Sequence, residues 1–292
     1  MRMAAGSRPI AVFDSGVGGL TVFRALRRRL PAEHLVYFGD TAHVPYGTKS
    51  PETVRRLTRA HLAFLAGRGV KCAVVACNTA SAVALDGVAK AVKIPLFGVI
   101  DPGVAQALNR TRTGRIGVLG TSTTIRSGAY QRRLVLRSPR ARVFAVACPL
   151  FVPLIEEGWA AHDVARRIAA VYLKPLLRAR VDTVILGCTH YPLLAPTLRR
   201  VLGAGVRLVD SAEAVAEETE RVLAQAGLLR VPPKAGLLRS RPGRGGETFY
   251  LTDTGGHFPA VARRFLGKPI TRLVPVHLRV EAVDGVARRG RG

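Results

Sequence analysis

The chain is short of cysteine, of acidic residues and of long apolar runs, and each shortage excludes something. Four cysteines in 292 residues, Cys72, Cys77, Cys148 and Cys188, do not make a disulfide framework. No pair has CxxC spacing, so no clustered zinc site is visible. The longest strand-like apolar stretches, such as AVVAC and TVILGC, run for about 5–8 residues, against the roughly 20 that a membrane helix needs. The opening MRMAAGSRP carries a basic residue but lacks the apolar core of a secretory signal. The cytoplasm is therefore the expected location, with no membrane partner.

Only 19 residues are acidic, against 45 Lys and Arg, for a formal net charge of +26. Seven of the 45 are Lys, which leaves 38 Arg. Such a balance raises nucleic acid or an anionic surface as a partner. The Arg are spread over nearly every predicted helix and both ends of the chain, and no helix-turn-helix, zinc finger or aromatic-basic RNA motif is discernible. Drift towards Arg and Ala on solvated faces is the favoured reading of the excess, because nucleic-acid sites usually show a localised patch or module, and charge alone leaves nucleic-acid binding open. The same field attracts a small anionic substrate.

What is present is the composition of a folded protein, 48% hydrophobic and 22% charged with 30 Gly and 18 Pro. The length suits one large domain or two of about 100–150 residues. Apolar runs at 10–13, 34–38, 72–76, 96–100, 115–119, 142–147 and 181–187 read as strands. Helical spacing over 20–30, 51–67, 81–92, 127–136, 162–180 and 211–225 alternates with them, and a late strand (247–252) and helix (259–266) follow. Repeated strand–turn–helix units predict an α/β protein with mostly parallel sheets. The halves also echo one another. IAVFDS at 10–15 resembles IGVLGT at 116–121, and AVVACNTAS at 73–81 resembles TVILGCTHY at 183–191. The stretch 228–246 reads as an exposed Arg/Gly/Pro linker and 281–292 as a frayed or disordered tail.

In open α/β sheets, ligands bind beyond the carboxyl ends of the strands. The chemically interesting residues fall there: Asp14-Ser15, Tyr46-Gly47, Cys77-Asn78-Thr79, Thr121 and Cys188-Thr189-His190. DSGVGG is a glycine turn before a helix, either a phosphate cradle lacking the P-loop Lys or a tight connection. Cys77 opens a helix, a position that lowers a thiol pKa. Cys188 has His190 two residues on. Three readings of these thiols stay open: buried apolar side chains, a Cys/His nucleophile, or two opposed thiols that remove and return a proton on opposite faces of a carbon.

The segments FDSGVGGLTV, YFGDTAHVPYGTKS, ACNTASA, LGTSTTIRSGAY and LGCTHYPLL resemble those of the glutamate racemases, in the aspartate/glutamate racemase superfamily. The match runs in order over about residues 9–270. The resemblance implies two similar parallel-sheet α/β domains related by pseudo-symmetry, with the active site in the cleft between them. The first would comprise 8–98 plus 211–270, the second 99–210, with 271–292 as a C-terminal extension. It implies cofactor-independent interconversion of L- and D-glutamate, supplying D-glutamate for peptidoglycan, with no metal. Cys77 and Cys188 match the acid/base thiols, Cys77 serving the D-enantiomer as base and Cys188 the L-enantiomer. Asp14, His190 and Glu156 match residues that assist them, Glu157 being the neighbouring alternative. Asp14, Ser15, Pro45, Tyr46, Gly47, Cys77, Asn78, Thr79, Thr121, Cys188, Thr189 and His190 match substrate-binding positions. A homodimer stays open. The rivals are a racemase of aspartate or another acidic amino acid, a Cys188–His190 hydrolase or amidotransferase, and a nucleic-acid-binding protein.

Overall fold

A computed structural model describes residues 5–230, 245–255, 258–270 and 272–278. The predicted linker and tail fall largely or wholly outside them. The elements run β1 (Ile10–Asp14), α1 (Leu20–Arg29), β2 (Leu35–Gly39), α2 (Pro51–Gly67), β3 (Cys72–Val75), α3 (Asn78–Val83), α4 (Leu85–Val88) and β4 (Leu96–Gly98). Then follow α5 (Ile100–Arg110), β5 (Arg115–Gly120), α6 (Ser122–Arg126), α7 (Ala129–Arg137), β6 (Arg142–Ala147), α8 (Phe151–Glu156), α9 (Asp163–Arg178), β7 (Thr183–Gly187), α10 (Ala195–Leu202) and β8 (Arg207–Asp210). The chain closes with α11 (Ser211–Gln225), β9 (Glu247–Leu251), α12 (Phe258–Leu266) and β10 (Leu273–Pro275).

The strands make two all-parallel sheets, ordered β10-β9-β2-β1-β3-β4 and β6-β5-β7-β8. Strands β1, β2, β3 and β7 are buried along their whole length, which is why they read as unbroken apolar runs. The run 2-1-3-4 in the first sheet repeats as 6-5-7-8 in the second, so the sequence echo has a structural counterpart. In each sheet the strand order reverses at one place, between β1 and β3 and between β5 and β7. A crevice opens at such a point. Asp14 and Cys77 flank the first, Thr121 and Cys188 the second. The first sheet takes its last strand from beyond residue 270, in the stretch the sequence assigned to an extension, because Leu273–Pro275 pairs with β9.

Several elements differ from the sequence reading. The helix expected over 81–92 is broken at Ala84 and starts at Asn78, since the Cys77 sulfur already accepts from the Ala80 amide at 3.5 Å. The strand expected over 96–100 stops at Gly98, and α5 starts at Ile100. Helix α2 matches its expected bounds: Ser50 accepts from Thr53 N at its start, and Pro51 pre-sets the first turn. One apolar core joins both units, running from Ile10, Leu20 and Phe23 through Leu119 to Leu186 and Cys188. Helix α11 packs on both α1 and α5 and is tied to α1 by Arg28–Glu213 and by Arg29–Glu220 at 2.5 Å. Among the described residues no helix is long and apolar enough to cross a membrane.

Candidate active site

The carboxyl ends of both sheets line a single cavity of about 370 Å³. Its walls contain Ser15, Pro45, Tyr46, Gly47, Cys77, Asn78, Thr79, Thr121, Glu156, Cys188, Thr189 and His190. These are the sequence-derived candidates except Asp14, which lies fully buried at the end of β1. The sequence missed the apolar wall: Val17, Val44, Pro149, Val152 and Pro153 also line the cavity. Nothing in a Val or Pro separates cavity lining from ordinary core.

The two thiols come from matching turns. Cys77 follows β3 and contacts Ser15 Oγ at 3.4 Å. Burial pushes its pKa up to about 12, and the negative charge of Asp14 adds to the effect. This is opposite to the direction expected from its helix-start position, because burial and Asp14 outweigh the lowering contacts with Ser15 Oγ and the Ala80 amide. Asp14 Oδ2 accepts from Gly16 N at 3.0 Å, while Oδ1 has no partner. Burial raises the Asp14 pKa, opposed by the His190 charge and by the amides of Gly19, Gly16 and Ser15.

On the other side, His190 Nδ1 lies 3.8 Å from Cys188 Sγ, and its Nε2 meets Glu156 Oε1 at 2.7 Å. Glu156, rather than Glu157, is therefore the carboxylate that meets the imidazole. The ring of Phe265, from α12, packs at right angles to the imidazole with centroids 5.0 Å apart. Arg264 holds the Glu156 carbonyl. Burial works against the charged imidazole, but Cys188 and Glu156 outweigh it and lift the His190 pKa to about 10.

That shift has a sign. The folded value lies above the ordinary 6.5. Protonated His190 thus contributes stability that is complete below about pH 6.5 and is lost as pH rises through about 10. We expect the thermal midpoint to fall over that window, and to fall less in His190→Asn. Equal slopes in a pH series of melting curves would mean that His190 is neutral in the folded protein.

Each thiol turn is braced by the opposite sheet's unit. Thr21 Oγ1 donates to the Thr189 carbonyl at 3.0 Å. A Cβ at Gly18 would meet Thr189 Oγ1 at 2.3 Å and His190 Nδ1 at 2.4 Å, so only glycine lets these turns approach. Thr79 Oγ1 lies 3.0 Å from Thr121 Oγ1 and 3.1 Å from Thr124 Oγ1. Gly47 sits against Thr121 in the same way, with a Cβ position 2.7 Å from its Cβ. The loop carrying Pro45 and Tyr46 enters through a cis Val44–Pro45 peptide.

Tyr46 OH donates to Asp40 Oδ2 at 2.7 Å, and His43 Nδ1 and Thr252 Oγ1 meet Asp40 Oδ1 at 2.7 and 2.8 Å. Asp40, His43 and His61 make a cluster of metal-ligand types that sequence spacing did not reveal. Both Asp40 oxygens are already engaged in hydrogen bonds, which makes it the hub holding the Tyr46 loop.

The Asp/Glu/Hydantoin racemase family model matches residues 11–219. The chain belongs to that family. Its relatives include the glutamate racemase of Syntrophus aciditrophicus, 46% identical over 92% of this chain and 97% of the relative. That of Geobacter metallireducens is 47% identical over 94% and 98%. Among solved structures, glutamate racemase from Thermus thermophilus superimposes with a TM-score of 0.83 at 43% identity, covering 94% of this chain and 99% of that one. The enzyme from Francisella tularensis, solved in complex with D-glutamate, gives 0.84 at 34% identity over 93% and 98%. An aspartate racemase from Picrophilus torridus, at 19% identity and a TM-score of 0.54, shares the fold alone.

Proposed function

We propose that this racemase interconverts L- and D-glutamate with two thiols and no cofactor, acts in the cytoplasm and supplies D-glutamate for peptidoglycan. The observation that carries the reading is the pair of quasi-equivalent strand-end turns that bring Cys77 and Cys188 into one cavity. Each has its own proton-handling support, Asp14 and Ser15 for one and the His190–Glu156 pair for the other. A Cys188–His190 nucleophile alone would leave Cys77 and its support without a task.

The chemical difficulty is the weak acidity of a Cα–H beside a carboxylate. Donors aimed at that carboxylate stabilise the charge that develops as the proton leaves. Asn78, Thr79 and Thr189 are buried at the cavity wall and are suited to this. The raised pKa of Cys77 makes it a thiol in the resting protein, ready to deliver a proton. The substrate ammonium offsets the Asp14 charge when Cys77 must act as base. Excluding water from the cavity when substrate binds strengthens each of these interactions. The identities near 46% to relatives named glutamate racemase, against 19% to an aspartate racemase, favour glutamate as the substrate.

A chiral assay of both enantiomers of glutamate and aspartate, without added cofactor, tests the reading. Racemisation of glutamate should survive dialysis against chelator and treatment with borohydride. Loss on either treatment, or a preference for aspartate, would overturn it.

A further inference from the structure

Tyr130 has no place in the readings above, yet it touches both thiol turns. It lies on α7, is 1% exposed, and belongs to the second unit. Its ring packs beneath Gly187, the residue before Cys188, where an added Cβ would lie 3.1 Å from Tyr130 Cε2. Its hydroxyl crosses to the first unit and donates to Oδ1 of Asn78, the residue after Cys77, at 2.7 Å. Burial raises the phenol pKa, so the hydroxyl keeps its proton. The only acceptor described for that proton is Asn78 Oδ1, so a flipped amide would leave a buried O–H unpaired, which favours the orientation with Oδ1 towards Tyr130. The Asn78 Nδ2 group is then left as the free end. It is buried, has no hydrogen-bond partner, and belongs to a residue that lines the cavity.

We propose that Tyr130 is a positioning residue for racemisation. By claiming Oδ1 it fixes Asn78 with its amide donor towards the substrate's carboxylate, and by packing under Gly187 it ties that donor to the Cys188 turn. The inference rests on the glutamate racemase reading, because the carboxylate is what the donor meets. Without the hydroxyl, the Asn78 amide can rotate and present an acceptor to an anion. A buried donor that is pre-aimed costs no reorganisation when charge develops, whereas one free to flip must be ordered on each binding event.

Tyr130→Phe keeps the ring against Gly187 and removes only the hydroxyl. We expect KM to rise about tenfold for both glutamate enantiomers, with kcat falling less and the melting temperature within a few degrees of wild type. Asn78→Ala should lose more, and adding Tyr130→Phe to it should cost nothing further in kcat/KM, since the tyrosine acts through the amide. Asn78→Asp needs no change at Tyr130: the hydroxyl still finds an oxygen, but the cavity gains an acceptor, so KM should rise at least as far. Unchanged KM in Tyr130→Phe, a full additive loss in the double variant, or wild-type KM in Asn78→Asp would each overturn the proposal. Wild-type protein inactive on glutamate would overturn the underlying reading, and with it this one. Active wild type with an unaltered Tyr130→Phe overturns the tyrosine's role alone.

Discussion

We expect Cys77→Ala and Cys188→Ala each to lose at least about a thousandfold in kcat for both directions of racemisation while remaining folded. General acid–base groups contribute roughly 10²–10⁴ each. Here every turnover needs both thiols, one to take the Cα proton and one to give the replacement, so either deletion blocks both directions. Cys72→Ala and Cys148→Ala are the controls. Cys72 is buried in β3 between its sheet neighbours, and the Cys148 sulfur lies 3.7 Å from the Val146 carbonyl in the shared core. All four replacements remove a buried sulfur and should cost on the order of 1–3 kcal/mol of stability. Denaturant unfolding alongside a chiral assay separates the two classes. An active Cys77→Ala protein would end the two-thiol account.

In heavy water, the product enantiomer should carry deuterium at Cα from the first turnover, while unreacted substrate stays mostly protiated. The proton that one thiol removes is held on one side of the cavity, and the thiol on the other side has already exchanged with solvent. A single base would return part of the original proton to product. Conversion of each thiol to Ser should then give defects that depend on direction, seen as unequal primary isotope effects for the two enantiomers. Cys77→Ser should burden the reaction of D-glutamate at the removal step, and Cys188→Ser that of L-glutamate. Mass spectrometry of early product decides the matter: substantial protium at Cα contradicts the assignment.

Much of the fold was legible because the central strands are buried on both faces. IAVF, CAVV and VIL have no polar residue to break them, and each leads into a turn whose residues line the cavity. Helix α5 was not legible, since Asp101-Pro102-Gly103 has the look of a turn. Its Pro occupies the first helical turn, where a missing N–H costs little, and Gly103 lies against Tyr130. Strand β8 is four residues at a sheet edge with mixed burial, too short for a periodic signal. The thiols, Asp14 and His190 stood out as reactive types at strand ends. Tyr130 did not, because a tyrosine in a helix is ordinary until the group its hydroxyl reaches is known. The direction of the Cys77 pKa shift was misjudged for a related reason: sequence shows a helix start but not the depth of burial around it.

The order of strands in the first sheet bears on how the protein is made. Strand β2 pairs on one side with β1, its near neighbour in the chain, and on the other with β9, which is translated about 210 residues later. At roughly 5–20 residues per second, that edge waits on the order of 10–40 s on the ribosome. Meanwhile all of the second sheet emerges. A waiting edge of this kind is a template for pairing with another chain. Nascent chains ending before Glu247 should therefore be sticky, and it is β9, remote from the thiols in sequence, that covers this edge.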